Sequence, residues 1–306
     1  MNLLIPNFWK TNNIIAYLIW PLTLITRIII LIKKFEKSYK PEIKSICVGN
    51  IYLGGTGKTQ LVIKISQILK KKYKIYVIKK KYKNQIDEQK LIQKKTNLVL
   101  SENRVRGIKS IKKSKKKIDV FDDGLQDKSL NYSLSIVCFN SYSSFGNGKL
   151  LPAGPLREDL SELNNYDAVF INGKKNRDLE NNIKKYNKKI KIFKGNYILK
   201  NKRDFNLNSK YLAFCGIGTP ENFFDFLKVN KIKVKKKMVF PDHFDYKSSD
   251  IYEINQIAIK NNLKIITTEK DFMKINKFKN FNVKFTDVDL NVDKFFEFKK
   301  FLLSYL

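Results

Sequence analysis

An α/β fold is predicted for this 306-residue sequence: a parallel sheet sandwiched between helices, with a second, smaller α/β domain after it and an apolar helix before it. Three observations predict this. From Lys44 onward, short β-prone apolar runs alternate with polar, helix-prone stretches, the pattern of a parallel sheet whose crossovers are helices. The stretch "NIYLGGTGKTQL", Asn50 to Leu61, puts a glycine turn between an apolar strand and an amphipathic helix, where such folds bind phosphate. The chain also carries Ile14 to Ile32, "IIAYLIWPLTLITRIIILI", an almost unbroken apolar run. At this length one or two domains are expected.

The apolar run comes first. At about 1.5 Å per residue a helix over it is roughly 28 Å long, just enough to cross a bilayer. Pro21 interrupts it, however, and Thr23, Arg27 and Lys34 recur at helical spacing as a thin polar stripe. An interfacial helix lying in the membrane surface fits this pattern better than a span, and a buried core helix is the plain alternative. Lys33, Lys34 and Lys37 follow the run, and no small-residue cleavage site does. It therefore does not read as a signal peptide, and either membrane geometry leaves the rest of the chain on the cytoplasmic side. Residues 1–37 are expected to form this membrane-associated helix.

Residues 38–205 are expected to form the phosphate-loop domain. Its strands are "KSICVGN", "YKIYVIK", "TNLVLS", "KIDVFDD", "LSIVCFN", "YDAVFING" and "KIKIFKG", with a helix over Gln60 to Lys72. Asn201 to Ser209 is polar and reads as a connection. Residues 206–306 form the smaller domain, with "KYLAFCGIG" and "LKIITTEK" as strands and "PENFFDFLKVN" as a helix.

Composition narrows the partners. An apolar fraction of 43% excludes a disordered chain, and a formal charge of +33 favours polyanions, whether nucleic acid, anionic headgroups or phosphorylated small molecules. The runs "IKKSKKK" (Ile111 to Lys117) and "KVKKK" (Lys233 to Lys237) read as solvated faces. They lack the interleaved aromatics of a single-strand groove, so no nucleic-acid partner is expected. Cys47, Cys138 and Cys215 each sit in an apolar run without CxxC spacing, and read as buried, reduced thiols.

The chemistry is concentrated in four places. In the glycine turn, Gly54, Gly55 and Gly57 let successive backbone N–H groups face an anion, Lys58 can reach the β- and γ-phosphates, and the Thr59 hydroxyl can ligate Mg²⁺. Tyr52 stands where a strict phosphate-binding loop opens with glycine, at a position that closes the loop rather than touching phosphate. The whole segment Tyr52, Leu53, Gly54, Gly55, Thr56, Gly57, Lys58, Thr59 and Gln60 is the expected ATP-binding loop of a P-loop NTPase-like sandwich. Next, "IDVFDDGLQD" ends a strand in Asp122 and Asp123, either of which can hold Mg²⁺ directly or through water. The rigid loop "FGNGKLLPAGPLREDL" delivers Arg157, able to brace a phosphate bidentately, or else simply a turn. Finally "FPDHFDY" holds His243, the only histidine of the chain, with Asp242 and Asp245 beside it to fix its tautomer or raise its pKa.

Together, "VGNIYLGGTGKT", "DDGLQD", "GNGKLLPAGPLRE", "GIGTPENFF", "FPDHFDY" and "TTEKDFMKI" follow the order and spacing of the tetraacyldisaccharide 4'-kinases. The sequence resembles that family from the apolar segment to about Ile275. The resemblance implies an ATP- and Mg²⁺-dependent lipid kinase that phosphorylates the 4'-hydroxyl of tetraacyldisaccharide 1-phosphate, a lipid A precursor. It implies a peripheral, monotopic protein on the anionic cytoplasmic face of the bacterial inner membrane. The family's Gly-Asp-Glu-Pro motif matches "IDEQ", so Asp87 is implied as the catalytic carboxylate. Glu88 is expected to join Thr59 and Asp122 or Asp123 around the metal. Its Asp-His-His motif matches Asp242 and His243, with His243 supporting Asp87. Arg157, Asn147 and Gln126 are expected to contact the acceptor. Two motifs depart from the pattern: Ser-Arg-Gly-Tyr is "KKKY" (Lys79 to Tyr82), and the histidine of Asp-Asp-Gly-Phe-Gln-His is Asp127.

The implied reaction is in-line transfer of the γ-phosphoryl group, with Asp87, His243 and Lys58 as the catalytic set. A second class also fits the loop, the aspartate pair and the charge: a nucleotide-switched ATPase that binds a protein or nucleic-acid partner. It leaves the apolar helix, "LLPAGPLRE" and the solitary histidine without a role.

Overall fold

The computed structural model describes residues 6–35, 38–82, 85–111, 114, 116–278 and 281–306. Lys37 of the basic flank and Lys112, Lys113 and Lys115 of the first lysine run lie outside them. The chain divides into two compact units. The larger comprises Pro6–Tyr82, Ile92–Asn196 and Leu290–Leu306, and the smaller comprises 85–91 and Tyr197–Asp289.

The apolar run is helical from Ile14 to Lys34, 21 residues long and apolar enough to cross a membrane by length and composition, but it is not one regular α-helix. It folds as α1 (Ile14–Ile19) and α2 (Thr23–Lys34), joined by a 3₁₀ turn over Trp20–Leu22. Pro21 has no N–H to give and its ring crowds the preceding turn, which is the physical reason for the break. Asn13 caps α1 by accepting from Ala16 N at 3.0 Å.

The main sheet has eight strands. β1 (Ser45–Gly49) leads through α3 (Lys58–Leu69) to β2 (Lys74–Lys80), then through α4 (Ile86–Lys95) to β3 (Leu98–Ser101) and through α5 (Arg104–Lys109) to β4 (Lys117–Asp122). β5 (Leu134–Asn140), β6 (Ala168–Asn172), α6 (Arg177–Tyr186) and β7 (Lys191–Leu199) complete this run. Parallel pairing joins β7, β6, β5, β1, β4, β2 and β3 in that order. Strands β1, β4, β5 and β6 are buried on both faces and so read as continuous Val, Ile, Phe and Cys runs rather than alternating ones. β4 and β5 flank β1, and the chain order reverses there. In open α/β sheets ligands bind beyond the carboxyl ends of the strands at such a point.

The smaller unit is built on a four-stranded sheet in the order β11-β10-β8-β9, all parallel: β8 (Lys210–Cys215), β9 (Lys233–Val239), β10 (Lys264–Thr268) and β11 (Val283–Thr286). Helices α7 (Pro220–Val229), α8 (Ser248–Lys260) and α9 (Glu269–Ile275) connect them. Phe223 and Leu227 pack against Tyr211 and Ala213, while Ile254 and Ala258 pack against Leu212 and Phe214. The lysines of "KVKKK" lie exposed on β9, where charge discourages pairing of an open edge. β12 (Val288–Val292) then joins the main sheet beside β7, and α10 (Phe295–Leu303) places Phe298 against Phe170 and Phe193. All three cysteines are free and buried, and burial pushes the Cys47 thiol up to about 12.

Candidate functional site

The glycine turn leaves the carboxyl end of β1 and enters α3. Gly57 takes the N-cap position with φ +85°, and Gly54 has φ +146°. L-residues are strained at such values, so these two positions require glycine. Lys58, Thr59 and Gln60 form the first turn of α3, whose free N–H groups favour an anion. Tyr52, in place of the opening glycine, is buried in the core and bridges Leu156. Its neighbour Leu53 donates N–H to Pro155 O at 2.8 Å, and Arg157 donates N–H to Ile51 O at 2.7 Å. The loop "LLPAGPLRE" is thus laced to the glycine turn by main chain.

That lacing delivers side chains to one place. Lys58 Nζ lies 3.6 Å from Asp123 Oδ1, and Arg157 Nη1 lies 3.2 Å from both Asp123 oxygens and 3.5 Å from Gln126 Oε1. Gln126 in turn donates to Asn50 O and to Glu158. Burial pushes the Asp123 carboxyl up, but Lys58, Arg157 and Lys79 outweigh it and hold the group below its ordinary value. Asp123 is also one of the few non-glycine residues with positive φ, +58°.

The two neighbouring aspartates are not equivalent. Asp122 is buried against Lys79 Nζ at 2.6 Å, whereas Asp123 Oδ1 lies 3.6 Å from Lys58 Nζ. Lys79 is the first residue of the divergent "KKKY". The other divergent residue is also paired: Arg104 donates to Asp127 Oδ2 at 2.8 Å and to Asp123 O. Asn147 is turned into its own loop, donating to Phe8 O and Ala153 O and accepting from Lys149 N. With every polar atom of its amide used there, it lines no open surface.

A second cluster forms within the smaller unit. Asp87, in the first turn of α4, is buried with Oδ1 3.2 Å from His243 Nδ1. Lys270 Nζ lies 3.7 Å from Asp87 Oδ2, 3.2 Å from Glu88, 3.3 Å from Asp242 and 3.4 Å from His243 Nε2. Lys274 Nζ lies 3.5 Å from Asp87 Oδ2 and 3.1 Å from Asp271. Burial raises the Asp87 pKa, yet the hydrogen bond from His243 and the charge of Lys270 and Lys274 bring it below its ordinary value. An ionised carboxylate can only accept, so the imidazole donates from Nδ1 to Asp87. His243 sits at φ +58°, a strained conformation of the kind retained where the side-chain direction matters. Lys270 and Lys274 were missed by sequence reasoning. They lie in "TTEKDFMKI", but a lysine in a chain this basic carries no signal until its partners are seen.

Among the described residues, no three His, Cys, Asp or Glu gather closely enough to hold a metal by themselves. Hard oxygen donors do border the glycine turn, in Thr59 and Asp123, and that chemistry suits Mg²⁺ shared with phosphate oxygens.

A phosphate-binding loop on a parallel sheet, with a lysine, an arginine and a carboxylate gathered at it, defines a nucleotide-dependent phosphotransferase or NTPase. Comparison with known proteins is more specific. The model of the LpxK family, tetraacyldisaccharide-1-P 4'-kinase, matches residues 15–306. A tetraacyldisaccharide 4'-kinase of Pelagibacter ubique is 42% identical over 302 residues, covering 96% of each chain. One from Rickettsia akari is 33% identical, covering 96% of this chain and 94% of its own. Among solved structures, LpxK from Aquifex aeolicus in complex with ATP superposes with a TM-score of 0.72 at 25% identity, covering 95% of this chain and 99% of that one. The chain belongs to the tetraacyldisaccharide 4'-kinase family and is an ATP-dependent kinase. Membership decides between the two classes left open by the sequence, against the nucleotide-switched ATPase.

Proposed function

We propose that this chain carries out the family reaction with the residues of these two clusters: transfer of the ATP γ-phosphoryl group to the 4'-hydroxyl of tetraacyldisaccharide 1-phosphate. The observation that carries the assignment of roles is Asp87, a buried carboxylate kept charged by one histidine and two lysines. Such a group can accept a proton from an alcohol, and its partners fix its direction. As the 4'-oxygen bonds to the γ-phosphorus, its proton passes to Asp87 and ADP leaves. His243 holds Asp87 through Nδ1–H. Lys270 and Lys274 offset much of the charge of Asp87, Glu88, Asp242 and Asp271.

At the glycine turn, the backbone of Gly54 to Lys58 and the Lys58 ammonium hold the triphosphate. Thr59 and Asp123 are the residues that would hold Mg²⁺, which when bound offsets charge on the transferring and leaving oxygens. Arg157, tethered to Asp123, neutralises a further phosphate oxygen. The transition state of such transfers is loose, so catalysis comes mainly from positioning and charge neutralisation.

The N-terminal helices serve the membrane surface. Ile14, Leu18, Leu24, Ile25, Ile28 and Ile32 are exposed, while the polar stripe is tied to the rest of its unit: Thr23 is buried, Arg27 meets Asp159 at 3.5 Å and Lys34 meets Glu162 at 2.6 Å, with Thr26 beside them donating to Leu151 O. A helix so docked along its polar side offers only its apolar side to lipid, as an interfacial helix does. Basic residues near an anionic leaflet each add about 1 kcal/mol of attraction, for the surface and for an acceptor bearing a 1-phosphate. Variants of Asp87, His243, Lys270 and Lys274, assayed side by side for lipid phosphorylation and for ATP affinity, test the assignment. Loss of turnover with ATP affinity retained is expected for all four.

A further inference from the structure

The glycine turn is held from beneath by a set of side chains that the nucleotide loop itself does not contain. Asn50 follows β1, Asn140 ends β5 and Asn172 ends β6. Asn140 and Asn172 are register partners on adjacent parallel strands, and all three are buried. Each points its amide nitrogen at a different part of the turn. Asn50 Nδ2 donates to Tyr52 O at 2.5 Å and to Gly54 O at 3.2 Å, Asn140 Nδ2 to Gly55 O at 3.3 Å, and Asn172 Nδ2 to Thr56 O at 2.5 Å.

In a trans peptide plane the carbonyl of one residue and the N–H of the next point in opposite directions. Drawing the carbonyls of Gly54, Gly55 and Thr56 down to the strand ends therefore turns the N–H groups of Gly55, Thr56 and Gly57 away from the sheet. The same rule is visible one step earlier in the chain: the Tyr52 carbonyl goes to Asn50, and the Leu53 N–H goes the other way, to Pro155 O. The N–H groups of Gly55, Thr56 and Gly57, unlike that of Leu53, meet no acceptor among the described residues. The buried Thr56 Oγ1 has none either.

We propose that Asn140 and Asn172, together with Asn50, are positioning residues that hook successive carbonyls of residues 52–56 to the sheet and so aim the N–H groups of Gly55 to Gly57 at the nucleotide phosphates. The proposal rests on the reading of this loop as the ATP site. A glycine turn without such hooks samples many conformations, because glycine loses the most freedom on ordering. Fixing it before ATP arrives lowers the cost of binding. The asparagines act through the loop and touch no phosphate themselves.

The test is equilibrium ATP binding and steady-state kinetics on the full chain in detergent micelles, for wild type, Asn140→Leu, Asn172→Leu and the double variant. Leucine keeps the branched shape and number of heavy atoms and removes the donor. Asn140→Ala and Asn172→Ala serve if a leucine variant does not fold. Each single change leaves one loop carbonyl without its partner and is expected to weaken ATP affinity about tenfold, and the double variant more. The change should fall on ATP affinity, with a smaller change in the KM for the lipid acceptor. As a control, Asn187→Ala removes an amide that donates to Leu163 O in the same unit, and should leave ATP affinity unchanged. Unaltered ATP affinity in the single and double variants, including the case where only stability falls, overturns the proposal. A wild-type chain that bound no ATP would instead overturn the reading of the loop.

Discussion

Lys79 and Asp122 are register partners at the carboxyl ends of β2 and β4, and their side chains form a buried ion pair with Nζ 2.6 Å from Oδ2. Lys79 belongs to the motif in which the sequence departs from the family pattern, so the departure comes with its own counter-charge. Removing one member of a buried pair is strongly destabilising, about 3–5 kcal/mol, while replacing both by apolar residues is often close to neutral. Lys79→Met should therefore lower the unfolding free energy by that amount in urea titrations. Lys79→Met combined with Asp122→Leu should recover most of it.

Asp123, the aspartate beside Lys58, is the one we propose to hold Mg²⁺. Asp123→Asn removes the charge 3.6 Å from Lys58 and 3.2 Å from Arg157. It is expected to lower kcat and to raise the Mg²⁺ concentration required for half-maximal rate. Asp122→Asn should act mainly on stability. Urea melts and Mg²⁺ titrations of the two variants separate the roles; equal Mg²⁺ requirements would show that the two aspartates share one role.

The pairing of Arg104 with Asp127 makes a pH prediction. Burial raises the Asp127 pKa, but hydrogen bonds from Ser129 and Arg104 and the Arg104 charge hold it below its ordinary value. A carboxyl depressed in the folded state contributes stability that is complete above its unfolded pKa, about 3.9. That contribution is lost as pH falls through the lower folded value. Wild type should therefore lose stability below about pH 4 more steeply than Asp127→Asn, which lacks the titrating group. Denaturant midpoints measured from pH 6 down to acid, as far as the chain stays folded, give the two slopes.

At the membrane helix, Leu24 and Ile28 are more than half exposed on α2. Burying an aliphatic side chain of that size contributes about 1.5–3 kcal/mol. Leu24→Asp or Ile28→Asp should weaken binding to anionic vesicles at least tenfold while leaving ATP affinity intact. Sedimentation with vesicles at low and high salt measures this, and high salt should also strip wild type if the helix is interfacial.

The centre of the main sheet was legible in the sequence because β1, β4, β5 and β6 are buried on both faces and flanked by turn formers, which leaves apolar runs of strand length. The glycine turn was legible because Gly54 and Gly57 occupy conformations that only glycine takes easily. What was not legible depends on contacts between distant parts of the chain. Asp87 and His243 are 156 positions apart, and only the family resemblance joined them. Nothing marked Lys270 and Lys274 among so many lysines. Asn140 and Asn172 end strands, where asparagine is a common turn residue, so their hold on the glycine turn had no separate signature. Asp122 and Asp123 carry the same signal in the sequence, which could not tell that Asp123 lies 3.6 Å from Lys58. The break at Pro21 could be placed, but not the ties of the polar stripe to the rest of its unit.

Asp87→Asn is the most direct single test of the proposed chemistry. Purified wild type and variant are incubated with γ-labelled ATP and tetraacyldisaccharide 1-phosphate in mixed micelles, and label in the lipid is counted while ATP affinity is measured in parallel. General-base assistance is worth about 10²–10⁴-fold, so the variant should label lipid slower by that factor with unchanged ATP affinity. Labelling by Asp87→Asn at the wild-type rate, or none by wild type itself, would contradict it.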